Sequence, residues 1–172
     1  MRKVTTKITY LEMLRPCATE ARPAVENITI ERLQSPSTDG YRALYRSVGR
    51  DYHWTDRLLM PDEQLAAALQ DEGVEVYLLR VDGRPAGYSE LDRRSAGQIE
   101  LAYFGLFPQY IGKGLGRYFL VWTLQKAWSY HPERVWVHTC DLDHPAALPM
   151  YLKAGFAIYD EEVAEQVVLD DG

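Results

Sequence analysis

The chain has 172 residues, 47% of them hydrophobic and 26% charged, with a net charge of −6 at pH 7. That length suits one domain with a sizeable core and is short for two, and the acidic balance argues against a surface that neutralises nucleic-acid phosphates. Cys17 and Cys140 are the only cysteines, too few for a disulfide framework or a four-cysteine metal site, and no apolar leader or eighteen-residue apolar run occurs; the expectation is a cytoplasmic chain without a membrane partner.

Near the start, "KITYLEM" and "ITIERL" alternate and carry β-branched residues, so each is predicted as a strand. Between them, residues 15–26, "RPCATEARPAVE", hold two prolines without periodicity and read as a connector. This divides the chain into an extra strand and connector over 1–26 and a single domain over 27–172. "SPSTDGYRALYRSVG" has a Ser/Thr/Asp start and a glycine stop, and predicts a short helix. A second helix is predicted from "MPDEQLAAALQDEG", with Pro61 at its first position, acids in its first turn, and Leu65, Ala68 and Leu69 on one face.

From Val74 the period becomes two: "VEVYLLRV", an Asp82-Gly83 turn, "RPAGYSEL", a further turn, then "QIELAYFGLF". This is the pattern of a three-stranded antiparallel meander. "GRYFLVWTLQKAW" is apolar on most of its circumference, as in a helix buried against a sheet. "RVWVHTC" predicts a strand, "PAALPMYLKAG" a helix started at His144 and Pro145 and ended by Gly155, and "FAIYDEE" the beginning of a last strand pair. The expected class is α/β, a mixed and largely antiparallel sheet with helices on both faces, in the order β-α-α-β-β-β-α-β-α-β.

Between the third meander strand and the apolar helix lies "FPQYIGKGLGRYFL", with Gly112, Gly114 and Gly116 in five residues beside Lys113 and Arg117. A helix start presents unpaired N–H groups and the positive end of a dipole, and glycines let an anion come close to them. The Walker phosphate loop is excluded because Phe107 and Gly114 stand where its first glycine and its Ser/Thr belong. A dinucleotide fingerprint fails at Arg117, where glycine is required. A loop for a pyrophosphate of another kind is the remaining functional reading, beside that of a plain flexible turn.

This loop resembles that of the GNAT superfamily of acyl-coenzyme A dependent N-acyltransferases, with Gly114 and Gly116 on the family's glycines and Ile111 where Arg or Gln is usual. A second segment, "HPAALPMYLKAGF", resembles the family's Asn-x-x-Ala-x-x-x-Tyr-x-x-x-Gly-Phe block, with Ala147, Tyr151, Gly155 and Phe156 in register and His144 in place of Asn. The resemblance covers roughly residues 75–160, extends over 27–72, and is absent from the first 26. It implies direct transfer of an acetyl group from acetyl-coenzyme A, a cosubstrate, to a primary amine of a small molecule or peptide, without a metal or an acyl-enzyme.

For the cofactor, the resemblance implies Phe104, Leu106 and Ile111, the loop Gly112, Lys113, Gly114, Leu115, Gly116 and Arg117, and His144. In the family a main-chain N–H at the position of Leu106 binds the thioester oxygen. Glu100, on the strand leading to the loop, stands where some members carry a glutamate base, and Tyr151 stands where the family places the acid for the leaving thiol. Even spacing puts Glu100 and Leu106 on one sheet face unless a bulge intervenes, and Gly105 is a candidate for that bulge or for close approach of the ligand's pantetheine arm. For the acceptor, "DYHWTDR" supplies Tyr52, His53 and Trp54 with flanking acids, and Tyr103 is a fourth candidate; aromatic faces with carboxylates suit a cationic amine. His138 reads as a partly buried histidine satisfied by its neighbours rather than a base, and Cys140 as a packing residue rather than a nucleophile. No nucleic-acid partner is implied, and a homodimer is admitted. Two other classes stay open, a non-catalytic acyl-coenzyme A sensor and an interaction module without cofactor.

Overall fold

The computed structural model describes residues 1–16, 22–23 and 25–170, so half of the expected connector, with Cys17, lies outside the described residues. Seven strands form one sheet in the order β2-β3-β4-β5-β6-β1-β7. They are β1 (Arg2–Met13), β2 (Ile28–Leu33), β3 (Val74–Val81), β4 (Arg84–Asp92), β5 (Gln98–Leu106), β6 (Arg134–Cys140) and β7 (Ala157–Val168). Every neighbouring pair is antiparallel except β5 and β6.

The helices are α1 (Thr38–Gly49), α2 (Asp56–Leu59), α3 (Asp62–Gln70), α4 (Leu115–Trp128) and α5 (Ala147–Ala154). Local chemistry explains most of their ends. Ser37 caps α1 by accepting from the Gly40 N–H at 3.0 Å, one of the donors left free at a helix start. Pro61 caps α3, and Gly155, at φ +113°, ends α5 in the left-handed region where a side chain is penalised. Asp82 and Gly83 both have positive φ, the backbone that matches a two-residue turn to strand twist.

Two cores sit on opposite faces of the sheet. One joins Leu11, Leu101, Leu106 and Val137 to Phe119 and Leu124 of α4 and Tyr151 of α5. The other joins Val76 and Tyr88 to Tyr41, Tyr45 and Val48 of α1 and Leu65 and Leu69 of α3. The mixed α/β sheet with helices on both faces is therefore as the sequence predicts.

Three local expectations are corrected. β7 is one twelve-residue strand and not half of a final pair, because β1 supplies its partner along almost its whole length. Between α1 and α3, Arg50–Tyr52 form a single 3₁₀ turn and Asp56 opens α2. The helix expected from His144 begins at Ala147, after a turn in which His144 Nδ1 accepts from the Ala146 N–H. The bulge in β5 is at Ala102 and not at Gly105, since Glu90 and Leu91 face Tyr103 and Leu101. Gly105 instead clears α1: a Cβ there would stand 2.3 Å from Val48 Cγ1.

Candidate active site

β5 and β6 pair over only three rungs, Gln98 with Arg134, Ile99 with Val135 and Glu100 with Trp136, and beyond Glu100 no pairing is present. The bulge at Ala102 begins where this fork opens and shifts the later residues of β5 by one. Leu101 and Leu106, five apart, consequently share the α4 core, while Tyr103 packs with the α1 core. A cavity of about 410 Å³ occupies the fork. Its lining comes from both faces: Leu106, Met150 and Tyr151 belong to the α4/α5 side, and Tyr45, Val48 and Trp54 to the α1 side.

On the α4 side lies the glycine loop. Gly112 and Gly114 have φ of +85° and +77°, a conformation that places Gly114 at the start of α4 with no side chain capping the helix. The first N–H groups of this fourteen-residue helix thus remain available to an anion. A Cβ on Gly112 would meet nothing, and one on Gly116 would make only ordinary contacts with Met150 Sδ and Leu106 Cδ1, at 3.7 and 3.8 Å. The protein's own packing therefore does not require glycine at 116, and the space is open to a ligand. Phe104, Leu106, Ile111, Gly112, Gly114 and Gly116 line the cavity, as do Arg117 and His144. Lys113 does not line it and lies 5.8 Å from the Tyr110 ring centroid. Leu115 is 1% exposed, so only its main chain could serve a ligand. These features fit the diphosphate and extended arm of acetyl-coenzyme A.

Tyr151 reaches the same cavity from α5, with its ring edge-on to Phe156 at 5.8 Å. Its hydroxyl has no hydrogen-bond partner among the described residues, and burial, with Asp143 nearby, pushes the phenol well above its usual pKa. It is protonated at neutral pH and available as a donor.

The α1 side is an aromatic and acidic wall. Tyr45, Trp54 and Tyr103 pack mutually at centroid distances of 5.2 to 5.5 Å, and Tyr52 stands edge-on to His144 at 5.9 Å. Trp54 Nε1 donates to Asp143 Oδ1 at 3.1 Å, and Asp143 Oδ2 accepts from Thr139 Oγ1 at 2.6 Å and from the Cys140 N–H at 3.0 Å. Behind Tyr103, the Arg57 guanidinium lies 5.3 Å from its ring and pairs with the fully buried Glu90 at 2.7 Å, which also accepts from the Tyr41 hydroxyl. Burial pushes the Tyr103 hydroxyl up to about 12. Asp56 opens toward the cavity from α2.

Of the acceptor candidates, Tyr52, Trp54 and Tyr103 are brought together here, whereas His53 faces another groove with Arg46 and Arg50. Its left-handed backbone ends the 3₁₀ turn, and its carbonyl accepts from Gln166. Glu100 sits at the base of the fork without lining the cavity, its carboxyl pushed up to about 7 by burial first and by Asp92 and Glu90 next. His138 and Asp143 do line it; the sequence reads His138 as a satisfied, partly buried histidine and does not single out Asp143, whereas the His138 side chain is 44% exposed and faces the cavity. A lone histidine in an alternating strand carries no signal; the fork that exposes it is tertiary. Among the described residues no cluster of His, Cys, Asp and Glu could hold a metal, and no helix is long and apolar enough to cross a membrane.

Comparison with known proteins gives no match among curated proteins. Solved structures do match. A conserved protein of unknown function from Staphylococcus epidermidis aligns with a TM-score of 0.67 at 13% identity, over 97% of this chain and 64% of that one. A GCN5-related N-acetyltransferase from Kribbella flavida aligns with a TM-score of 0.63 at 16% identity, over 95% of this chain and 58% of that one. An aminoglycoside acetyltransferase from an uncultured soil metagenomic sample, in complex with sisomicin, aligns with a TM-score of 0.60 at 16% identity, over 75% of this chain and 88% of that one. The chain thus spans less than two thirds of the first two, and at these identities the likeness is one of fold. The sequence itself matches the family model for the acetyltransferase (GNAT) family over residues 41–156. This covers more than half of the chain, and with the forked sheet and the glycine loop at α4 it places the chain in the acetyltransferase (GNAT) family.

Proposed function

We propose that the protein transfers an acetyl group from acetyl-coenzyme A directly to a primary amine of a small molecule or peptide. The observation that carries this reading is the cavity through the β5/β6 fork, with a glycine loop at one end and an aromatic, acidic wall at the other. Acetyl-coenzyme A supplies an activated acetyl thioester. The chain's own groups do the rest: the N–H groups from Gly112 to Gly116 hold the diphosphate, with charge from Arg117. Phe104, Leu106 and Met150 flank the arm with apolar surface. Tyr52, Trp54 and Tyr103 with Asp56 hold a cationic amine, Glu100 serves on the proton-accepting side, and Tyr151 supplies a proton to the departing sulfur. An ammonium acceptor with a pKa near 10.4 is neutral at pH 7 at a cost of about 4.6 kcal/mol, which is why a proton acceptor is needed.

The test has two arms. Coenzyme A at about a hundred times its dissociation constant is expected to raise stability by about 2.7 kcal/mol. Gly114→Glu, which forces a side chain and a negative charge onto a left-handed glycine facing the anion, is expected to remove that increment. Thiol release is then read across diamines, amino acids, aminoglycosides and peptide amino termini. Stabilisation with no turnover on any amine identifies a sensor, and absence of both overturns the reading.

A further inference from the structure

Glu100 and His138 stand on the two arms of the fork. Glu100 is opposite Trp136 on the last paired rung, and His138 follows two residues along β6, on the same face. His138 Nδ1 is 3.7 Å from Glu100 Oε1, an ion-pair distance that a movement of under about 1 Å turns into a hydrogen bond. The imidazole is 44% exposed and lies beside Trp136, with ring centroids 6.1 Å apart and 29° between planes, and beside Tyr10 at 5.8 Å. His138 lines the cavity and Glu100 does not. With Nδ1 turned to the carboxylate, Nε2 is the nitrogen left for a ligand.

We propose that His138 is the catalytic residue that takes the proton from the acceptor amine, with Glu100 behind it as a positioning residue that keeps the proton of the neutral ring on Nδ1. This rests on the amine-acetylation reading above. The proton count closes. The ammonium gives one proton to His138 Nε2, which frees its lone pair; the N–C bond forms as the C–S bond breaks. The nitrogen's second proton leaves as the amide forms, Tyr151 protonates the sulfur and is re-protonated, and one proton in all goes to solvent. Burial lowers the His138 pKa, while Asp143 of the loop after β6, Asp56 of α2 and Glu162 of β7 oppose that. Glu100 of β5, backed by Asp92 and Glu90 of β4, and the Tyr10 phenol of β1 complete the titratable surroundings. The imidazole is therefore neutral at pH 7 and able to accept.

The experiment combines three measurements on the parent, His138→Gln and Glu100→Gln: acetyl-coenzyme A affinity by calorimetry, kcat/KM from pH 5.5 to 9.5 on an amine found by thiol release, and the imidazole nitrogen shifts of His138 by NMR. His138→Gln is expected to keep the parent's acetyl-coenzyme A affinity, which also reports folding. Its kcat/KM is expected to fall at least about 10²-fold at pH 7, with the loss shrinking as the amine deprotonates by itself. Glu100→Gln is expected to lower kcat/KM about tenfold, move the acid limb to lower pH, and shift the ring proton away from Nδ1. If His138→Gln keeps the parent's rate and acid limb while Glu100→Gln loses them, Glu100 is the direct base and the proposal fails. It also fails if Glu100→Gln leaves the His138 tautomer and titration unchanged. A parent that binds acetyl-coenzyme A yet releases no thiol with any amine overturns the acetyl-transfer reading, and the catalytic role with it, even where NMR shows the two side chains coupled.

Discussion

Tyr151 and Glu100 show how a side chain's surroundings set its chemistry. Tyr151 packs its ring into the α4/α5 core while its hydroxyl stays without a partner among the described residues. Tyr151→Phe is expected to fold as the parent does and to bind acetyl-coenzyme A normally, with turnover lower by about 10²-fold, as steady-state kinetics will show. Glu100 behaves differently because its carboxyl is raised from 4.5 to about 7. The folded state then holds a proton that the unfolded chain has already released between these values, so ν_U is below ν_N and stability falls as pH rises through that window. The ceiling on the effect is about 3 kcal/mol. Glu100→Gln lacks this titration, and relative to the parent it is expected to gain about 2 to 3 kcal/mol in urea denaturation between pH 4.5 and pH 7.5. A constant difference across that range would mean the carboxyl is solvated. The Glu100 shift was not legible from sequence, because its desolvation and like-charge neighbours come from β4.

Among the elements, α1 and β5 together set the aromatic wall of the cavity. Gly49, the last residue of α1, has Trp54 directly against it: an added Cβ would lie 2.4 Å from Trp54 Cδ2. The φ of Gly49 is −95°, so glycine is required there for space and not for backbone freedom. Gly49→Ala is expected to displace Trp54 and its hydrogen bond to Asp143, costing about 1 to 3 kcal/mol of stability and raising KM for the amine. Acetyl-coenzyme A affinity, measured by calorimetry, is expected to stay unchanged because the glycine loop is on the other face. Unchanged KM would place the amine elsewhere. The glycine run and its helix were readable in sequence because their chemistry is local: positive φ, free N–H groups and a following apolar helix. The bulge at Ala102 was not, since no residue type in "ELAYFG" distinguishes it from the glycine three positions later.

Across the whole molecule, β1 is an inner strand. It pairs with β6 from Ile8 to Met13 and with β7 from Arg2 to Glu12, and Leu11 and Met13 enter the α4 core. Beyond β1, β7 makes the edge of the sheet, guarded by Asp160, Glu161 and Glu162, charges of the kind that discourage pairing with a further strand. We propose that residues 2–13 belong to the catalytic fold and are not an appendage to residues 27–172. Deleting residues 1–13 is expected to abolish cooperative thermal unfolding by circular dichroism, and adding a peptide of residues 1–13 to restore it in part. A truncated protein that melts as the parent does would make the strand dispensable.

Sequence by itself determined the elements whose signals lie within a few residues: the alternation of β3 to β5, the capped helices, the glycine loop and the Tyr151 block. It also excluded the common nucleotide loops, because single positions break their geometry. Only the tertiary structure decided where β1 inserts, where β5 and β6 part, and which side chains face the resulting cavity. Those outcomes depend on pairings between residues far apart in the chain, such as Glu100 with Trp136 and Leu11 with Val137 and with Ile158, and strand pairing over such distances is set by the packing of whole faces, not by any local residue preference.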